Sequence, residues 1–225
     1  MKWKAILFLA LVFLFVFVIY LTTLDRKVYY LNLGDEIAVE DGNYGEWIRN
    51  YIKSKGKLEK YVSEFSEEDY RTTDFIRDIE DNRKVFSNGN NIALKNALIK
   101  ADLVTLSIGS NDIYYKVTTS SPRESYEYMD QVLVDLEHLL ELVRSYCKED
   151  IIIINYYNSY QENYNEIFNY MNDKLADLAN VYEIQIVDIT DIMYGNTMGN
   201  RLPSVEQYEQ IYNRMKKIID QKLFR

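Results

Sequence analysis

Three short segments of this 225-residue chain set polar side chains where chemistry can be done: "LGDE" (Leu33 to Glu36), "SIGSND" (Ser107 to Asp112) and "NRLPSVEQYEQIY" (Asn200 to Tyr212). Glu36 with Asp35 or Asp112 offers paired carboxylates. Such a pair can divide acid and base roles in glycoside cleavage or hold a hard cation. Alone, Glu36 can act as a carboxylate nucleophile, but hydrolysis of the resulting acyl group needs a base for water, and none stands nearby in the sequence. Ser110 also lacks a neighbouring base and reads as a turn serine. The only histidine, His138, shares a helix face with Gln131 and Asp135, opposite the apolar stripe, and reads as a solvated residue. Asp188 reads as a carboxylate that organises a loop.

These segments need elements to hold them. β-Branched, apolar runs recur at Val28 to Leu33, Leu58 to Phe65, Asp102 to Ile108, Asp150 to Tyr157 and Glu183 to Ile189. Helical spacing separates them. Trp47, Ile48, Tyr51 and Ile52 share one face, as do Phe75, Ile76 and Ile79, and "NNIALKNALIKA" offers a further short helix. A long helix after Ser121-Pro122 carries Met129, Val132, Leu133, Leu136, Leu140 and Val143, and another runs from about Gln161 to Val181. The last helix has a capping box, Ser204 with Gln207, and a stripe of Val205, Tyr208, Ile211, Tyr212, Met215 and Ile219. Nearly continuous apolar strands alternating with helices predict an α/β fold, a parallel sheet covered on both faces. Ligands of such sheets bind beyond the carboxyl ends of the strands, where the three polar segments lie.

The order of these blocks resembles the SGNH (GDSL-like) hydrolase family, over Lys27 to about Lys222. The resemblance implies a three-layer α/β/α flavodoxin-like sandwich with a five-stranded parallel sheet. It also implies a nucleophilic Ser after Gly-Asp, an oxyanion-binding Asn in Gly-x-Asn-Asp, a further oxyanion-binding Gly, and an Asp-x-x-His before the last helix. The stretch "YRTTDFIRDI" (Tyr70 to Ile79) is similar to membrane-anchored members from Gram-positive bacteria. Gly34, Asp35, Gly109, Asn111, Asp112 and Pro203 match. The nucleophile position holds Glu36, the oxyanion Gly position Asp69, the base position Leu202 and the acid position Gly199. A carboxylate has no proton to give at neutral pH, and Leu202 cannot accept one, so the expectation is a pseudoenzyme whose binding residues are Asp35, Glu36, Gly109, Asn111 and Asp112. An esterase working through atypical residues is the alternative.

Residues 5–21 carry no charge and are long enough to cross a bilayer core of roughly 30 Å. Bulky Val18, Ile19, Tyr20 and Leu21 replace the small residues that signal peptidase needs, which predicts an uncleaved signal anchor over a cleaved signal. Lys2 and Lys4 then keep the amino terminus cytoplasmic, with residues 1–27 as stub and anchor and 28–225 as an extracytoplasmic domain. That domain carries −12 of a chain total of −9, the first 27 residues being +3. The acidic balance argues against nucleic acid or anionic lipid as its partner. A carbohydrate, an acylated polymer or a protein of the envelope is expected instead. No Gly-rich phosphate loop follows any strand, and no cofactor or metal is expected. The lone Cys147 allows no internal disulfide, and many of the 21 tyrosines are expected to lie on the surface.

Overall fold

The computed structural model describes residues 2–24, 26–117, 119, 121–159, 164–196 and 201–224. Helix α1 (Lys2–Leu24) comes first, its apolar side chains from Leu11 to Phe17 exposed. Among the described residues no helix is long and apolar enough to cross a membrane; the side chains at positions 18–24 stand outside that set.

The remainder is built on five parallel strands, β1 (Val28–Gly34), β2 (Leu58–Val62), β5 (Leu103–Ser107), β6 (Asp150–Ile154) and β7 (Gln185–Val187), in the order β2-β1-β5-β6-β7. This is the flavodoxin-like order, and its switch point lies between β1 and β5. Every residue of β1 and β5 is buried, as their nearly unbroken apolar sequences require. One face is covered by α4 (Thr72–Glu80), α5 (Leu94–Lys100), α7 (Pro122–Tyr146) and α8 (Asn165–Val181). The other is covered by α3 (Tyr44–Ser54) and α9 (Val205–Leu223). Alternation within β1 feeds both cores: Tyr29, Leu31 and Leu33 face the first, Val28 and Tyr30 the second. Two short helices, α2 (Glu36–Val39) and α6 (Ser110–Val117), leave the exits of β1 and β5.

The strands end sooner than their apolar runs, because the residues beyond Val62, Ser107, Ile154 and Val187 turn out of the sheet toward the exits. The stretch expected to open a helix at Asn90 instead forms β4 (Asn90–Ala93), paired antiparallel with β3 (Lys84–Ser87). Asn88 (φ 50°) and Gly89 (φ 78°) make a two-residue turn with both φ positive, the conformation Asn-Gly favours in hairpins. Helix α8 is described over Asn165–Val181; its expected start at about Gln161 lies outside the described residues. Val205, expected in the apolar stripe of α9, is exposed because it sits in the first turn, while Tyr208, Ile211, Met215 and Ile219 are buried. The Ser204–Gln207 box forms, with Ser204 N–H donating to Gln207 Oε1 at 2.9 Å. Gln207 Nε2 then donates to the Ile192 carbonyl at 2.7 Å and pins the loop that precedes α9.

Candidate functional site

Glu36 and Asn111 meet at the switch point. Asp35 caps α2, its Oδ1 accepting from Ile37 N–H at 3.4 Å, so Glu36 occupies the first helical position. Asn111 sits in the first turn of α6 after Gly109, whose φ of 97° turns the chain out of β5. Asn111 Nδ2 donates to Glu36 Oε2 at 2.7 Å and to the Tyr70 carbonyl at 3.0 Å. The amide that would face an oxyanion is thus already donating to a carboxylate of the same chain.

The residue the sequence reading missed is Arg201. Its guanidinium donates to Glu36 Oε1 and reaches Asn111 Oδ1 at 3.5 Å, and lies 5.7 Å from the centre of the Tyr114 ring. Tyr157 Oη donates to the Arg201 carbonyl, and Tyr114 Oη donates to the Tyr157 carbonyl at 2.8 Å. Two strand exits therefore hold the arginine in place. Leu202 lines the same cleft with Asp35, Ser110 and Ile37, and the space in this open cleft that water can occupy is about 10 Å³, room for about one water. Gly199 lies outside the described residues. The signal for Arg201 was a cation beside the position expected for the base, in a chain with a carboxylate at the position expected for the nucleophile.

The other singled-out residues divide. Asp112 Oδ2 accepts from Thr72 N–H and Thr72 Oγ1, both at 2.9 Å, and so satisfies the start of α4. Asp188 Oδ1 accepts from Thr190 and from Asn155 Nδ2 and shapes the exit of β7. His138 is exposed on α7, 3.4 Å from Glu80. Cys147 is buried at the end of that helix. Among the described residues no group of three His, Cys, Asp or Glu side chains is placed to hold a metal.

Asp69 stands 3.9 Å from Arg201 with its side chain 89% exposed. Its backbone is left-handed, φ 60°, the conformation glycine adopts without steric cost. The position keeps a glycine's geometry with an aspartate in it. Asp69→Gly is expected to raise stability by roughly 0.5–1 kcal/mol, because the left-handed cost of a Cβ exceeds the extra chain entropy of glycine; urea unfolding measures it.

Asp35 is buried and its second carboxyl oxygen has no partner. Burial, and then the neighbouring Glu36 charge, push the carboxyl well above the usual carboxylate range. A folded-state value above the unfolded one gives stability that is complete below the unfolded value and is lost as pH rises through the folded one. Asp35→Asn keeps an acceptor for Ile37 and cannot ionise. Its stability relative to the natural chain should therefore rise from about pH 4 upward, and parallel urea titrations of the two proteins across pH would show a constant difference if Asp35 does not titrate.

The β2-β1-β5 switch point with its Gly-Asp and Gly-x-Asn-Asp turns defines an α/β/α sandwich of the hydrolase type. The chain belongs to the GDSL-like lipase/acylhydrolase family, whose model matches residues 32–215. No curated protein sequence is significantly similar to it. Among solved structures it is similar to the lipase Lip_vut3 from goat rumen metagenome, with a TM-score of 0.69 at 16% identity over 84% of this chain and 95% of that one. It is also similar to Axe2, an acetylxylan esterase from Geobacillus stearothermophilus, with a TM-score of 0.63 at 15% identity over 84% of this chain and 93% of that one. At such identities the likeness is one of fold.

Proposed function

We propose that this protein is a non-catalytic binding or scaffold member of its family, carried on the cell envelope by residues 5–21 with residues 28–225 outside the cytoplasm. The observation that carries this reading is the Glu36–Arg201–Asn111 cluster. Acyl transfer needs a hydroxyl activated by a base and free donors for the oxyanion. Here a carboxylate stands at the position where the family resemblance puts the nucleophile, it takes the Asn111 donor, and Arg201 lines the cleft bound to it. An incoming ester would meet a resident anion where its own charge must develop.

The uncharged length of 5–21 and the exposed side chains of α1 support the anchor. The envelope ligand is a carbohydrate, an acylated polymer or a protein, bound at the rim of the cleft. The purified protein is expected to hydrolyse short aryl esters and acetylated xylo-oligosaccharides no faster than buffer does. Turnover that disappears in Glu36→Ala would make it an esterase working through atypical residues.

A further inference from the structure

Charge is segregated along the strand axis. The segments that lead into the five strands, 26–27, 53–57, 99–102, 147–149 and 182–184, contain seven Lys or Arg and three carboxylates. The segments that leave them, 35–41, 63–69, 108–112, 155–159 and 188–191, contain eleven carboxylates and no Lys or Arg. A chain with a total of −9 thus has a basic base and an acidic crown. Cations near helix C-termini complement helix dipoles, which accounts for Lys53 and Lys100. It also accounts for Lys55, the C-cap of α3, and for Lys148, whose Nζ donates to the Arg144 carbonyl in the last turn of α7 at 3.3 Å. It does not account for Lys57, nor for the excess of carboxylates at the exits, of which Glu36, Asp69, Glu67 and Asp191 pair with Arg201, Arg83 and Arg214 from neighbouring segments.

The base is also where α1 arrives. Only residues 25–27 separate Leu24 from Val28. Arg26 donates to Asp102 Oδ1 at 2.6 Å and pairs with Glu149 at 3.1 Å, and Lys27 Nζ donates to the Gly56 carbonyl at 2.7 Å. These contacts take up two of the three carboxylates of the base and tie the end of α1 to the entries of β2, β5 and β6. We infer that the basic base rests on the anionic phospholipid headgroups of the bilayer that holds α1, and that the acidic crown turns the cleft away from it. This rests on the anchor reading of the preceding subsection. The 7 residues of β1, at about 3.3 Å each, lift the cleft roughly 23 Å above the headgroups. At that height it addresses envelope polymers or proteins and not the acyl chains of its own membrane. The net acidity that argued against anionic lipid in the sequence is an average over two faces of opposite sign.

The full chain is reconstituted in vesicles of phosphatidylcholine alone and of phosphatidylcholine with phosphatidylglycerol, and amide hydrogen exchange is followed by mass spectrometry. Each cation near an anionic leaflet strengthens attachment by about fivefold. Exchange at 53–57 and 147–149 should therefore slow by about tenfold or more in the anionic vesicles at low salt, with 63–69 and 155–159 unchanged. High salt, or Lys53→Gln, Lys55→Gln, Lys57→Gln and Lys148→Gln together, should abolish the slowing while the protein still floats with the vesicles. Equal exchange in the two lipids, or slowing at the strand exits, overturns the inference and leaves the anchor standing. Flotation with anionic vesicles alone, reversed by salt, removes the anchor and sustains the basic base. Flotation with neither vesicle overturns both.

Discussion

Gly109→Ala should lower stability by about 3 kcal/mol and displace Asn111 from Glu36. Two costs add. The φ of 97° lies where an L side chain is strained, worth about 1–3 kcal/mol. A Cβ there would also stand 2.6 Å from Tyr156 Oη and 3.1 Å from its ring, and overpacking of this kind costs about 1–3 kcal/mol. Tyr156 cannot easily retreat. It is buried, and Asn172 holds its backbone N–H and carbonyl, both at 2.8 Å. The Tyr156 hydroxyl itself has no partner, so Tyr156→Phe alone should be neutral or slightly stabilising. In the Gly109→Ala background it should recover the steric part, about 1 kcal/mol, and leave the backbone part. Urea unfolding of the four proteins tests the division; full recovery by Tyr156→Phe would show that the backbone strain is absent.

Arg201→Ala is the second large effect, a loss of about 2 kcal/mol. Removing one partner of a buried pair costs about 3–5 kcal/mol because the other charge is left stranded. Here the Glu36 side chain is 13% exposed and that of Arg201 is 32% exposed, so solvent reduces the figure. Glu36→Ala removes the anion and strands a cation that can turn toward water, and should cost less. The double variant should be more stable than the sum of the single losses implies, with a coupling of about 1 kcal/mol or more. A coupling near zero would mean that the two side chains do not depend on each other.

The pattern of apolar runs was enough to place five parallel strands and the exits where polar residues gather, because burial on both faces leaves little freedom in sequence. The hairpin at Lys84–Ala93 escaped, although Asn88-Gly89 is a turn signal, since its strands are short and Leu94 to Lys100 continue with helical spacing. Tyrosine was legible only in part, for many of its side chains do reach the surface. Tyr30, Tyr44, Tyr156 and Tyr208 are buried in the cores; the Tyr30 hydroxyl meets Thr105 Oγ1 at 2.8 Å, while those of Tyr156 and Tyr208 have no hydrogen-bond partner. Composition does not say which phenol can be accommodated inside. Arg201 was illegible for another reason. Its neighbour Leu202 drew the attention as the position expected for the base, and only the folded loop shows that the guanidinium one residue earlier reaches 165 positions back to Glu36.

The most direct test of the central claim is the mass of the intact protein after incubation with an excess of a reactive fluorophosphonate at neutral pH. Glu36 is bound to Arg201 and Asn111, and the Tyr114 and Tyr157 hydroxyls of the cleft donate to carbonyls, so the expected spectrum shows the unmodified mass alone. A stoichiometric adduct mapping to Ser110, or to any other residue that lines the cleft, would contradict the account.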